Sequence, residues 1–113
     1  MIKIGNSEYI KTKGDFSLEG LHVKKYVFEY PTLGSSKQTL NIELVPFAVL
    51  DDGTRVYDLD KVFKIYISDV DGYIASNPMQ NVINAYFATE AGIADILGDK
   101  FPDLQAVFVP PQV

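Results

Sequence analysis

Apolar and polar residues alternate along two runs between Thr39 and Ile67, and the clearest turn signal of the chain falls between them. Leu40, Ile42 and Leu44 alternate with Thr39, Asn41 and Glu43, which predicts a strand with one dry face and one wet face. Val62 to Ile67 repeats that period with Phe63, Ile65 and Ile67 on one side. Between them, Asp52-Gly53 readily takes the positive φ angles of a tight two-residue turn. Closing the chain there predicts Leu50 opposite Arg55, Val49 opposite Val56 and Ala48 opposite Tyr57. Pro46 has no N–H to give a ladder, so it predicts a bulge or an edge position just before Phe47.

Upstream, Ile2 to Ile10 reads as a small hairpin turned at Gly5-Asn6, pairing Lys3 with Glu8 and Ile2 with Tyr9. Lys11 to Gly20 is polar and reads as a loop anchored by Phe16 and Leu18. Leu21 to Tyr30 is a strand by composition, with Tyr26, Phe28 and Tyr30 on one face and Val27 and Glu29 on the other. Leu21 and Val23 fall out of phase with that aromatic set, which predicts a bulge near Lys24-Lys25 or a change of face. Pro31 to Ser36 is a turn cluster. Up to Ile67 the pattern describes a meander of consecutive antiparallel strands.

A 3.6-residue period takes over after Asn77. Asn77 suits a helix cap, Pro78 the first helical position, and Gln80 falls where a capping box wants Glu or Gln. Met79, Val82, Ile83, Tyr86 and Phe87 then form one apolar stripe. Ile93, Ile96 and Leu97 keep helical spacing beyond Gly92. Either one helix runs to Gly98, or a break near Thr89 to Gly92 separates off a second short helix, with Gly98 as the stop. A last strand, Leu104 to Val109, precedes Pro110 and Pro111. The fold expected is α+β in a single domain spanning 1–113, an antiparallel sheet with one main C-terminal helix packed across it.

Composition narrows what such a domain does. A chain of 113 residues with 47% hydrophobic and 22% charged residues can bury a core of its own. The absence of Cys removes disulfides, thiolate chemistry and cysteine-ligated metals. A net charge of −5 argues against nucleic acid as a partner. No apolar run reaches the length of a membrane span and the first residues lack a signal-peptide core, so synthesis in the cytoplasm, without a membrane partner, is the expectation.

Candidate chemistry is sparse. His22 is the single histidine, so a histidine base or a Ser-His-Asp arrangement must use it, yet no G-x-S-x-G motif accompanies it. Asp58-Leu59-Asp60 and Asp69-Val70-Asp71-Gly72 set carboxylates two apart, as hard-cation sites do, and the second resembles a fragment of a calcium loop but lacks its further oxygen ligands. Turn and capping chemistry explains both. Tyr26, Phe28 and Tyr30 could stack on sugars or bases, or serve the core. No catalytic residue, cofactor or metal site is assigned on these grounds.

Across Thr39 to Ile67 and Asn77 to Phe87, the strand meander, the capped helix, the Cys-free composition and the apolar Pro-containing tail resemble, in manner, the small β-rich structural proteins of tailed bacteriophages. The resemblance implies a virion or tail component that works by subunit packing, with no cofactor and with protein subunits, in a homo-oligomer or a larger assembly, as partners. The alternatives are a small carbohydrate- or Ca²⁺-binding module and, further off, a hydrolase centred on His22. The candidate contact surface is Ala106, Val107, Phe108, Val109, Pro110 and Pro111, because Ala106 to Val109 is apolar on both faces of a strand. Such a strand is either internal to the domain's own sheet or an interface.

Overall fold

The computed structural model describes residues 1–29, 37–76 and 89–110. The strands are β1 (Ile2–Ile4), β2 (Lys11–Lys13), β3 (Phe16–Leu18), β4 (Gly20–Glu29), β5 (Thr39–Val49), β6 (Arg55–Tyr57), β7 (Phe63–Ile67) and β8 (Ala106–Phe108). The α-helices among the described residues are α1 (Val70–Ser76) and α2 (Glu90–Lys100). The expected helix from Asn77 with its stripe Met79, Val82, Ile83, Tyr86 and Phe87, the turn cluster at 31–36, Tyr30 and Pro111 lie outside the described residues.

Among the described residues one antiparallel sheet of six strands carries the fold, in the order β6-β5-β4-β1-β8 with β7 also pairing with β5. The chain is therefore not a simple meander. Strand β5 is long enough for β7 to pair with its residues 40–44 and β6 with its residues 47–49, both on the flank away from β4. Pro46 falls in the interval between those two partners, where a missing N–H costs no ladder bond. The strand runs straight through it.

The bulge is where the phase of the sequence puts it. The β4–β5 register shifts between Val23 and Lys25, and Lys24 is the extra residue. That insertion brings Val23, opposite Leu44, onto the same face as Tyr26, opposite Ile42, and Phe28, opposite Leu40. Leu40, Ile42 and Leu44 are fully buried there, with Ile65 and Ile67 of β7, Ile2 and Ile4 of β1, and Leu21 of β4. Helix α2 covers this face with Ile93, Ala94, Ile96 and Leu97. Each such side chain contributes about 1.5–3 kcal/mol on leaving water.

Three local expectations give way. Gly5-Asn6 makes no hairpin: Asn6 caps a 3₁₀ turn at Ser7–Tyr9, its Oδ1 accepting from Glu8 N–H at 3.1 Å. β1 pairs instead with β4 and β8, and Lys3 meets Glu19 at 3.8 Å rather than Glu8. The segment read as a loop at 11–20 holds the β2–β3 hairpin, whose register Lys13 opposite Phe16 leaves Gly14-Asp15 as the turn, with Gly14 at φ +62°. Leu18 is its buried anchor, whereas Phe16 is 41% exposed.

The Asp52-Gly53 hairpin forms with a loop one residue longer than expected. Gly53 N–H donates to Leu50 O at 2.9 Å and Leu50 N–H to Thr54 O at 2.8 Å, with Gly53 at φ +87°. This is the three-residue connection in which a turn is followed by a left-handed glycine. Phe47 then faces Tyr57, Ala48 faces Val56 and Val49 faces Arg55.

The helices also depart from the expected bounds. Asp69 begins α1, its Oδ1 accepting from Gly72 N–H at 3.1 Å. Thr89 caps α2 by accepting from Gly92 N–H at 3.1 Å, so the helix-weakening glycine sits in the first turn, where its N–H goes to the cap. Gly98 does not stop α2. The helix runs to Lys100 and ends where Pro102 pushes Phe101 out of helical geometry, to φ −131° and ψ 64°. The Tyr73 hydroxyl donates to Asp99 Oδ2 at 3.0 Å and ties α1 to α2.

Candidate functional site

Strand β8 lies at the end of the sheet, so the last strand belongs to the domain's own sheet and is also its edge. It pairs on one flank with β1, Lys3 opposite Val107. Among the described residues no strand pairs with its other flank. The ladder can be phased from its end: the Met1 amino group donates to Val109 O at 2.8 Å and Val109 N–H to Met1 O at 2.7 Å. In an antiparallel pair such exchanging positions recur at every second residue, so Val107 also turns its N–H and C=O toward β1. Ala106 and Phe108 therefore aim theirs outward. Pro110, next in that series, offers only a carbonyl.

Side chains divide the other way. Ala106 and Phe108 pack against the core cluster under α2, and Val107 stands 51% exposed on the opposite face. The segment before β8 is held firmly. Gln105 takes a left-handed conformation at φ 50°, and its carbonyl accepts from Gly5 N–H at 3.1 Å. Asn6 Nδ2 donates to Asp103 O at 2.9 Å, and Asn6 N–H donates to Leu104 O at 3.1 Å.

The carboxylate pairs have local occupations. Asp69 caps α1 and meets Lys37 Nζ at 3.6 Å, while Asp71 is exposed in the first helical turn. Asp58 Oδ1 accepts from Asp60 N–H at 3.2 Å. The two pairs are not brought together, and among the described residues no three His, Cys, Asp or Glu side chains converge as a cation site would require. Tyr26 and Phe28 pack on the core side, where burial pushes the Tyr26 hydroxyl up from its ordinary value.

The outer face holds an aromatic cluster that linear reading missed. Its members come from β4, β5 and β6. Phe47, almost fully buried, lies against Gly20, and the Arg55 guanidinium sits 4.3 Å from its ring centre. The Tyr57 ring centre lies 5.8 Å from that of Phe47 and 5.2 Å from that of His22, the latter pair edge to face. The only signal in the sequence was the hairpin register, and the two-residue turn would have put Phe47 and Tyr57 on opposite faces. A cleft of about 360 Å³ opens beside Phe47, between Lys3, Phe16, Glu19 and Val49. A smaller one of about 160 Å³ reaches His22, Arg55 and Glu90, with no serine or threonine among the described residues that line it.

Further along the outer face, Lys25 meets Glu43 at 3.6 Å and Tyr66 is 64% exposed. No helix among the described residues is long and apolar enough to cross a membrane. Comparison with family models, with curated proteins and with solved structures returns no match for this chain.

Proposed function

We propose that the protein is a non-catalytic structural subunit of a larger protein assembly, docking through the outer edge of β8, with a tailed-phage virion or tail as the setting its sequence resembles. The observation that supports this is the edge itself: Ala106 and Phe108 turn backbone donors and acceptors outward beside a half-exposed Val107. Proteins commonly blunt such an edge with a charge, a bulge or a covering segment, because it is a template for another chain. Here the strand carries no charge, and a partner strand can extend the sheet by main-chain bonding.

Mass spectrometry of purified particles from the producing host tests the reading. The chain is expected in particles at many copies each, and Val107→Lys is expected to abolish its incorporation while leaving the domain folded. A chain absent from particles overturns the virion setting. Undiminished incorporation of Val107→Lys overturns the β8 edge as the docking surface.

A further inference from the structure

We infer that the strand completing the β8 edge is the β8 of a second copy of this chain, paired antiparallel about a two-fold axis through Val107. The inference rests on the reading of β8 as a docking edge and specifies its occupant. The outward backbone groups occupy a short window. At one end Gln105 leaves the strand at φ 50°, and at the other Pro110 has no N–H to offer. Within that window Ala106 and Phe108 each present one donor and one acceptor, placed symmetrically about Val107.

A window with that symmetry is complementary to itself. Turned through a two-fold, Ala106 of one copy faces Phe108 of the other and exchanges both main-chain bonds with it, and the second such pair does the same. All the outward N–H groups of the strand are then satisfied. Val107 meets the partner's Val107 as the central pair without hydrogen bonds, the kind in which Cα atoms approach to about 4.5 Å and side chains touch most closely. The half-exposed valine is covered by its own copy.

Charge at the seam permits the same occupant. A chain of net charge −5 repels itself in general, so self-association needs a seam without charges. Ala106-Val107-Phe108 carries none. The adjacent Lys3, opposite Val107 on β1, is engaged with Glu19 at 3.8 Å. Across a two-fold each residue meets its equivalents, and any charge at 107 would face its own sign. The two six-stranded sheets join edge to edge, with Ala106 and Phe108 still under α2.

The test is a charge exchange at the axis. Light scattering is expected to give about twice the 12.6 kDa chain mass for the parent, a monomer for Val107→Lys alone, a monomer for Val107→Asp alone, and the dimer again in their equimolar mixture. A dimeric parent whose mixed variants stay monomeric overturns the two-fold through Val107. So does a parent that is monomeric throughout; if that monomer still enters particles through residue 107, the assembly reading stands and only the identity of the partner falls. A second measurement avoids altering charge. The chain has no Cys, so Val107→Cys is expected to oxidise to a single disulfide-linked dimer, the Cα spacing of that central pair being within disulfide range. Failure to cross-link in a dimeric sample overturns the register.

Discussion

Gly53 shows how much one dihedral angle settles. Its φ of +87° lets the loop after β5 close over three residues, and nothing lies within 4 Å of where a Cβ would stand. A substitution there meets backbone strain without any clash. Gly53→Val is expected to cost about 1–2 kcal/mol, the penalty of left-handed geometry for a side chain, read as a lowered melting temperature. Next to it, the backbone N–H of Thr54 donates to Asp52 Oδ1 at 2.9 Å and holds that carboxyl below its ordinary range. With its folded pKa depressed, the native state binds fewer protons than the unfolded chain as acid is added. The contribution is present above the unfolded pKa and is lost as pH falls through the folded one. Asp52→Ala is therefore expected to be less stable than the parent at neutral pH, with the gap closing as acid protonates the carboxylate, as urea midpoints followed from neutral to acidic pH would record.

Among the elements, β4 depends most on a single inserted residue. Lys24 puts Leu21 and Val23 in phase with Tyr26 and Phe28, so all four address the face that α2 covers. Deleting Lys24 forces one of the two pairs off that face, because a one-residue slip inverts every side chain. A loss of more than about 3 kcal/mol is expected, comparable to removing an aromatic side chain from a core. Lys24→Ala keeps the extra residue and is expected to stay within about 0.5 kcal/mol of the parent. Urea denaturation of the two variants separates backbone length from side-chain chemistry. At the start of α2, Thr89→Ala removes the acceptor for Gly92 N–H and is expected to cost about 1 kcal/mol by the same measurement.

At the scale of the whole molecule, the two faces of the sheet are put to different uses. The face under α2 is continuous, its fully buried side chains are aliphatic, and Leu97 is buried completely among them. Leu97→Ala is expected to cost about 2–5 kcal/mol through lost burial and the cavity left behind. Val107 points to the other side of the sheet, and Val107→Lys is expected to leave the fold intact and change association, with stability lowered only by what association adds to the parent at the concentration used. Thermal melting and light scattering on these two variants should therefore move in opposite combinations. If Val107→Lys unfolds the domain, the residue belongs to the core and the β8 edge loses its role.

Patterns of period two were sufficient for β5, β7 and the phase defect in β4, because each depends on which neighbours in sequence share a face. Together with the helical spacing of Ile93, Ile96 and Leu97 they were also sufficient for the α+β class, and alone for an apolar last strand. Pairing partners were another matter. Lys3 against Glu8 and Lys3 against Gly20 are equally compatible with the composition of β1, and only packing under α2 selects the second. In sequence the start of α1 at Asp69 is indistinguishable from a turn, because the same Asp side-chain hydrogen bond serves a turn and a helix cap. The length of the Asp52-Gly53 loop, and with it the meeting of Phe47, Tyr57, His22 and Arg55, followed from a one-residue choice between turns of similar sequence. The position of β8 at the edge was likewise absent from the pattern, since an apolar strand reads alike in the centre of a sheet and at its rim. Local periodicity determines which face a side chain takes, and long-range pairing decides which residues, and which edges, it finally stands beside.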